Sequence, residues 1–591
     1  MWKRSLALLL ILPALLLARG SCGQESEAIA TPAELWRGYD PEALPLDVQV
    51  TRTWTEEGCT YEKLTFTGEA GTRVFALRGA PEKGKRLPGV LHIHGGGQTA
   101  SPEWVRYWAR RGYVAVSFDF CGPLPGRTEF TDWGPIPHAN MAQAAGGFQV
   151  HPTPRESSWY HWAVASRRAL TLLARHPQVD RKRLGIYGIS VGGTLCWLVA
   201  ASDARVRTAV PIYGCGYNHD DRNLRWGYGP LSPELRIYKA VLSPEAHAPS
   251  VRCPVLFLST TNDFHGPMDY SFDTLRAVRG PARQAFTPRY NHHLEPEQGG
   301  DLEHWMAWQL KGDSSFPRTP EIRLALDPGG VPEAVVQPER KEEVRQVDVF
   351  YALRDRMPQA RFWRRSAATR TGNGWRALLP VMDTGDLLFA FANVSYHSGV
   401  SLSSTLLRET PRQLGAARAT LRWSPIQEHG RDGLEGWFYT AAYTDPNVDW
   451  SILKVEREPA GAPYLALDGD RFGDPLEFSL STHLLNDPQW EGRDGYALSF
   501  DCRGAYDAAG LTVNLIAKDW RPQSKTYSAK VSPDALHPGW NHLTLPLARF
   551  VATDGAQLPR WQGVERMELR GRAARKEPPG FRGFCWEPTG K

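Results

Sequence analysis

The chain has 591 residues, 42% of them hydrophobic and 23% charged, with 69 basic residues against 64 acidic ones. That composition excludes a mainly disordered chain, a collagen, a coiled coil and a small disulfide scaffold. A net charge of +5 spread over this length gives no reason to expect a nucleic-acid surface.

The N-terminus reads as an address. Met1-Trp2-Lys3-Arg4 is a short basic region, Leu6 to Ala18 is an apolar run, and Ala18-Arg19-Gly20 fits a small-x-small cleavage site. Residues 1–23 are therefore expected to be an export signal, and the protein secreted or periplasmic. Cys22 raises bacterial lipoprotein anchoring as the less favoured alternative, because Arg19 departs from the apolar residue usual three positions before the lipidated cysteine. No later apolar stretch is long enough for a membrane helix.

From about residue 30 to 313, short apolar strands such as Val90–Ile93 and Tyr113–Phe118 alternate with helical stretches such as Trp159–Ala174. This alternation predicts an α/β domain with a mostly parallel sheet and helices on both faces. After Gly312-Asp313-Ser314-Ser315 the texture changes to two-residue alternation, in Ile322–Leu326, Val347–Tyr351 and Leu387–Phe391. An Ig-like β-sandwich is expected over 318–420. The strands Tyr464–Leu467, Tyr496–Phe500, Leu511–Leu515 and Trp540–Leu547 predict a jelly roll over 421–591. Its Gly539–Phe550 segment resembles a recurring strand of carbohydrate-binding jelly rolls, which implies polysaccharide binding. A structural module covering the first domain is the alternative.

Cysteines 59, 121, 196, 215, 253, 502 and 585 show no metal-ligand spacing, and neither a metal nor an organic cofactor is expected. Cys502 and Cys585, alone in the last third, would pair only if their strands adjoin.

The chemistry is expected in the first domain. Arg183–Tyr187 reads as a buried strand that runs into Gly188-Ile189-Ser190-Val191-Gly192-Gly193 and then an apolar helix. In this strand–turn–helix context, G-x-S-x-G lifts the Ser190 hydroxyl above the sheet as a nucleophile. An upstream strand ends in His94-Gly95-Gly96-Gly97-Gln98. Glycines there let backbone N–H groups approach a reacting carbonyl oxygen. Gly96, then Gly97, are the candidate oxyanion donors together with Val191. An acid and a histidine should follow in that order. Asp263, in the loop after Val255–Ser259, is the acid chosen, with Asp269 as runner-up. His292, in Asn291-His292-His293-Leu294, is the general base chosen, with His293 as the alternative.

This assembly, over about Val90 to Leu310, resembles the α/β-hydrolase fold family. Within it the chain is similar to dienelactone hydrolases and acetylxylan esterases, on His94-Gly95-Gly96-Gly97, Gly188–Gly193, Thr261-Asn262-Asp263 and Asn291-His292-His293. The resemblance implies a Ser190, Asp263, His292 triad and an exported serine esterase acting on an acylated carbohydrate. Two departures stand out. No Gln follows Ser190, and the three-glycine turn is closer to hormone-sensitive-lipase-like esterases. A secreted prolyl-oligopeptidase-like peptidase and a non-catalytic glycan-binding surface protein are the alternatives.

Two long insertions, Phe120–Ser158 and Gly216–Pro249, are placed to shape the pocket. Their Trp133, His138, Phe148, His151 and Trp226 would stack on a sugar or pack a lid. His219-Asp220-Asp221 reads as a solvated turn in preference to a cation site.

Overall fold

The computed structural model describes residues 29–137, 139–141, 149–217, 231–293, 296–312, 315–372, 374–426, 434–440, 452–459, 461–468 and 476–590. Nine strands form one sheet: β1 Gln49–Glu56, β2 Cys59–Thr67, β3 Arg73–Pro81, β4 Leu87–Ile93, β5 Val114–Phe118, β6 Val179–Ile189, β7 Val206–Ile212, β8 Val255–Thr260 and β9 Ala282–Thr287. Their order is β1-β2-β3-β5-β4-β6-β7-β8-β9. β1, β2, β3 and β5 pair antiparallel, and every pairing from β5 through to β9 is parallel. From β2 onward this is the strand order of an α/β-hydrolase, with β1 added at the edge.

Local sequence accounts for both halves of the sheet. β1 and β2 meet at Glu57-Gly58, both with positive φ (48° and 71°), as a tight two-residue hairpin requires. β5 and β8 are buried at every position, which is why they read as continuous apolar runs and not as alternating ones. The helix Ser158–Ala174 is buried along its whole length, and the helix Val191–Ser202 along nearly all of its own.

Antiparallel sheets make up the remainder. Residues 321–409 form a four-stranded and a five-stranded sheet, and residues 437–588 form two five-stranded sheets. These are not loosely tethered modules. Trp305, Met306 and Leu310 of the helix Pro296–Leu310 share one apolar cluster with Val336, Val349 and Ala392 of the sandwich. At the edge of β9, Phe286 N–H donates to Ser403 Oγ at 2.8 Å, and Asn393 Nδ2 donates to Phe286 O at 3.0 Å. Buried Arg364 binds Asp487 at 2.6 Å, joining the sandwich to the C-terminal β-domain.

Cys502 and Cys585 do lie on paired strands, Tyr496–Arg503 and Gly580–Pro588. The register sets Cys502 opposite Phe581 and Cys585 opposite Ser499, and both thiols are free. Among the described residues, no helix is long and apolar enough to cross a membrane.

Candidate active site

β6 runs directly into Ser190, which heads the helix Val191–Ser202 with φ 59° and ψ −114°. A residue carrying a Cβ holds that left-handed conformation only under tertiary constraint. The constraints are visible. Ser190 N–H donates to Ile212 O at 3.0 Å. A Cβ at Gly188 would lie 2.0 Å from Gly192 O, and one at Gly192 would lie 2.1 Å from Ile93 O. The turn is therefore pressed against its own helix and against β4. Ser190 Oγ is left at a helix N-terminus, where open N–H groups favour a developing negative charge.

The glycine turn after β4 is built around the same point. Gly95 N–H donates to Gln98 Oε1 at 2.9 Å and is thereby used. A Cβ at Gly96 would come within 2.9 Å of Val191 Cγ2, so the Gly96 backbone sits directly against the residue after the serine. Gly97, at φ 75°, has nothing within 4 Å of where a Cβ would stand. Of the two candidate donors, the structure thus brings Gly96, and not Gly97, to Val191. The turn is braced from behind. His94 Nδ1 donates to Gly95 O at 2.7 Å, and Arg127 donates to Gln98 O at 2.6 Å and to Gly97 O. Asp119 accepts from Gly122 N–H at 3.0 Å and Thr131 N–H at 2.8 Å. Burial opposes the Asp119 carboxylate, but His94 and these amides hold its carboxyl below the ordinary range. His94, Asp119 and Cys121 are close enough to suggest a metal site. Both His94 nitrogens and Asp119 Oδ2 are engaged in the brace, and burial pushes the Cys121 thiol up to about 12.

The acid and the base come from the loops after β8 and β9. Asp263 is fully buried, and its Oδ2 accepts from His292 Nδ1 at 2.7 Å. The His292 ring packs on Tyr213 and Phe264, with centroids 4.4 and 4.7 Å away. The two loops are stitched together by Asn262 N–H to Tyr290 O and Phe264 N–H to Asn291 Oδ1, both 3.0 Å. The sandwich backs this corner, where Asn262 Nδ2 donates to Gln359 O at 3.0 Å and Arg361 O at 2.9 Å. Asp269 lies elsewhere, gripped by Arg361 at 2.6 and 2.9 Å. His293 is half-buried beside Tyr290, with burial and then His292 lowering its pKa to about 4.

Sequence reasoning missed one histidine. His265 is fully buried, with Nδ1 3.4 Å from Ser190 Oγ and Nε2 3.4 Å from Thr194 Oγ1. Its backbone N–H donates to Asp263 Oδ1 at 2.5 Å. Among the described residues, Ser190 makes no hydrogen bond to His292; the imidazole it touches is His265. The one available signal was proximity in sequence, two residues after the chosen acid.

Of the insertion residues, Trp133 is buried and donates from Nε1 to Phe120 O at 3.2 Å, so it packs and offers no sugar face. His151 is exposed. His138, Phe148, His219, Asp220, Asp221 and Trp226 lie outside the described residues.

Residues 42–219 match the family model described as acetyl xylan esterase (AXE1). The match includes Gly96, Ser190 and Val191 and ends before Asp263 and His292. The acetyl esterase Axe7A of Xylanibacter ruminicola is 25% identical over 248 residues, 39% of this chain. The chain spans 55% of that relative's length. An acetyl xylan esterase from Paenibacillus sp. R4 is 18% identical, with a TM-score of 0.37 over 46% of this chain and 91% of its own. Acetyl xylan esterase 1 from Thermoanaerobacterium sp. is likewise 18% identical, with a TM-score of 0.38 over 46% of this chain and 89% of its own. The α/β-hydrolase assignment of this acetyl-xylan-esterase-like region stands on its strand order and serine turn.

Proposed function

We propose that the chain is an exported serine esterase that removes acetyl groups from a carbohydrate through an acyl-enzyme on Ser190. The observation that carries this reading is the strained Ser190 turn at a helix N-terminus, within a segment that matches the acetyl xylan esterase family. Ser190 Oγ attacks the ester carbonyl and His292 Nε2 takes its proton. Asp263 keeps the other ring proton on Nδ1 and stabilises the imidazolium that forms. The oxyanion lies on the N–H groups of Gly96 and Val191, and one such donor is worth about 3 kcal/mol in the transition state. The imidazolium then protonates the leaving sugar oxygen as its bond to the acyl carbon breaks, and water repeats the sequence to release acetate. Bringing His292 Nε2 onto Ser190 Oγ is the tightening expected between a resting and a substrate-bound site.

Acetate released from acetylated xylan by the wild type and by Ser190→Ala tests the reading. Release by the wild type alone supports it, and equal release or none from either overturns it. Export through residues 1–23 belongs to the same proposal. It is checked by the N-terminal sequence of the protein recovered outside the cytoplasm.

A further inference from the structure

The C-terminal β-domain reaches the corner that holds Asp263 and His292. Its strands Tyr506–Ala517 and Lys525–Val531 are joined by a loop carrying Lys518-Asp519-Trp520-Arg521. The Trp520 ring lies almost parallel to that of Phe264, 7° between planes and 6.2 Å between centroids. Phe264 in turn packs on the His292 ring at 4.7 Å. Both Trp520 and Phe264 are half-buried. Trp520 is thus one aromatic step from the imidazole proposed as general base, although 257 residues separate it from Asp263 in the chain.

Holding the ring there is unfavourable for the loop itself. Lys518 and Trp520 both sit at positive φ, 52° and 60°. Such conformations are unfavourable for residues with a side chain and persist only when the surroundings over-determine them. The indole N–H is also buried without a hydrogen-bond partner among the described residues. The residues on either side of the ring supply the restraint. Asp519 binds Arg566 at 2.9 Å and His483 at 3.3 Å, and Arg521 binds Asp355 of the sandwich at 2.6 Å as well as Glu565. Two flanking ion-pair anchors, one reaching into another domain, fix a flat ring whose N–H has no partner among the described residues.

We infer that Trp520 is a substrate platform: its indole face takes the pyranose ring of an acetylated carbohydrate whose ester lies at Ser190. The chemistry fits because a pyranose presents a flat face of C–H groups and keeps its hydroxyls at the rim. It can bury that face on an aromatic ring and leave its polar groups in water. A free acetate or a short alkyl ester has no such face, so the platform selects for the sugar. The inference rests on the esterase reading for the position of the ester, and deepens it by naming the wall that recognises the alcohol side. It also gives the C-terminal domain a role in the site itself, in place of a separate binding surface.

Calorimetric titration with an acetylated xylo-oligosaccharide separates the two claims, using Ser190→Ala protein with and without Trp520→Ala. Affinity should fall about tenfold with Trp520→Ala, equivalent to ~1.4 kcal/mol, and Trp520→Phe should restore most of it because a flat ring remains. In the otherwise wild-type enzyme, Trp520→Ala should lower kcat/KM on the oligosaccharide about tenfold relative to p-nitrophenyl acetate, through KM. Unchanged oligosaccharide affinity overturns the platform, as does no binding to the Ser190→Ala protein. Equal losses on both esters with a lowered melting temperature also overturn it, because they mark a structural prop. Binding that depends on Trp520 in a wild type that hydrolyses neither ester keeps the platform and removes the esterase reading.

Discussion

His265 Nδ1 stands 3.4 Å from Ser190 Oγ, so the imidazole that touches the nucleophile is not the one held by the buried carboxylate. The two rings lie 5.8 Å apart, centroid to centroid. Their surroundings divide the roles. His292 has Asp263 to stabilise its charged form. The far nitrogen of His265 lies 3.4 Å from the hydroxyl of Thr194. Under the proposed mechanism His292 transfers the proton and His265 positions the serine hydroxyl.

That division predicts a ranking. His292→Ala and Asp263→Asn should each lower kcat by roughly 10³–10⁴-fold, since either change removes the oriented base. His265→Ala should cost about tenfold to a hundredfold and leave in place the acidic limb of the pH profile, where the general base becomes protonated. His293→Ala should cost at most about tenfold, ~1.4 kcal/mol on the barrier. With its pKa near 4, the His293 ring is already neutral at pH 7. A dead His265→Ala beside an active His292→Ala would exchange the roles.

Ser190 offers a test of strain independent of turnover. Ser190→Ala and Ser190→Gly should both be inactive by several orders of magnitude. Glycine adopts φ 59° freely, so Ser190→Gly should be at least as stable as Ser190→Ala, despite the ~0.5–1 kcal/mol that glycine ordinarily loses to alanine. Urea midpoints of the two variants decide it, and a clearly less stable glycine variant would show that the turn is unstrained.

Asp269→Asn should damage the fold and not the chemistry. Arg361 is fully buried and its guanidinium is held by both Asp269 oxygens. Removing the countercharge should destabilise the protein by roughly 3 kcal/mol, as breaking buried pairs does. Turnover by the folded fraction should stay within about threefold, under 1 kcal/mol on the barrier. A loss of kcat as large as that of Asp263→Asn would restore Asp269 as a candidate acid.

The anchor beneath Trp520 should respond to pH. Burial, and then the Asp355 charge, raise the Glu565 carboxyl from 4.5 to about 7. A folded-state pKa above the unfolded one means that the folded protein binds the proton more tightly. Its stabilising contribution is complete below about 4.5 and is lost as pH rises through about 7. Melting temperature should therefore fall across that window, and Glu565→Gln should flatten the fall. An unaltered slope in the variant would assign it to other groups.

The α/β domain followed by all-β domains was readable because each signal is local. Apolar runs mark buried parallel strands, two-residue alternation marks half-exposed ones, and Gly188 and Gly192 mark a turn too crowded for a Cβ. The positions of Ser190, Gly96, Asp263 and His292 were readable for the same reason, each standing where a strand gives way to a loop. Tertiary structure alone decided the relations among them. Nothing near Asp269 in the sequence announces Arg361, whose grip separates it from the site. Nothing near His265 distinguishes it from any loop histidine until the positive φ of Ser190 turns the hydroxyl toward it. Nothing before residue 518 foretells that Trp520 will lie on Phe264. Local patterns report the conformation of a few adjacent residues; these contacts depend on how three separately patterned segments bury their faces against one another.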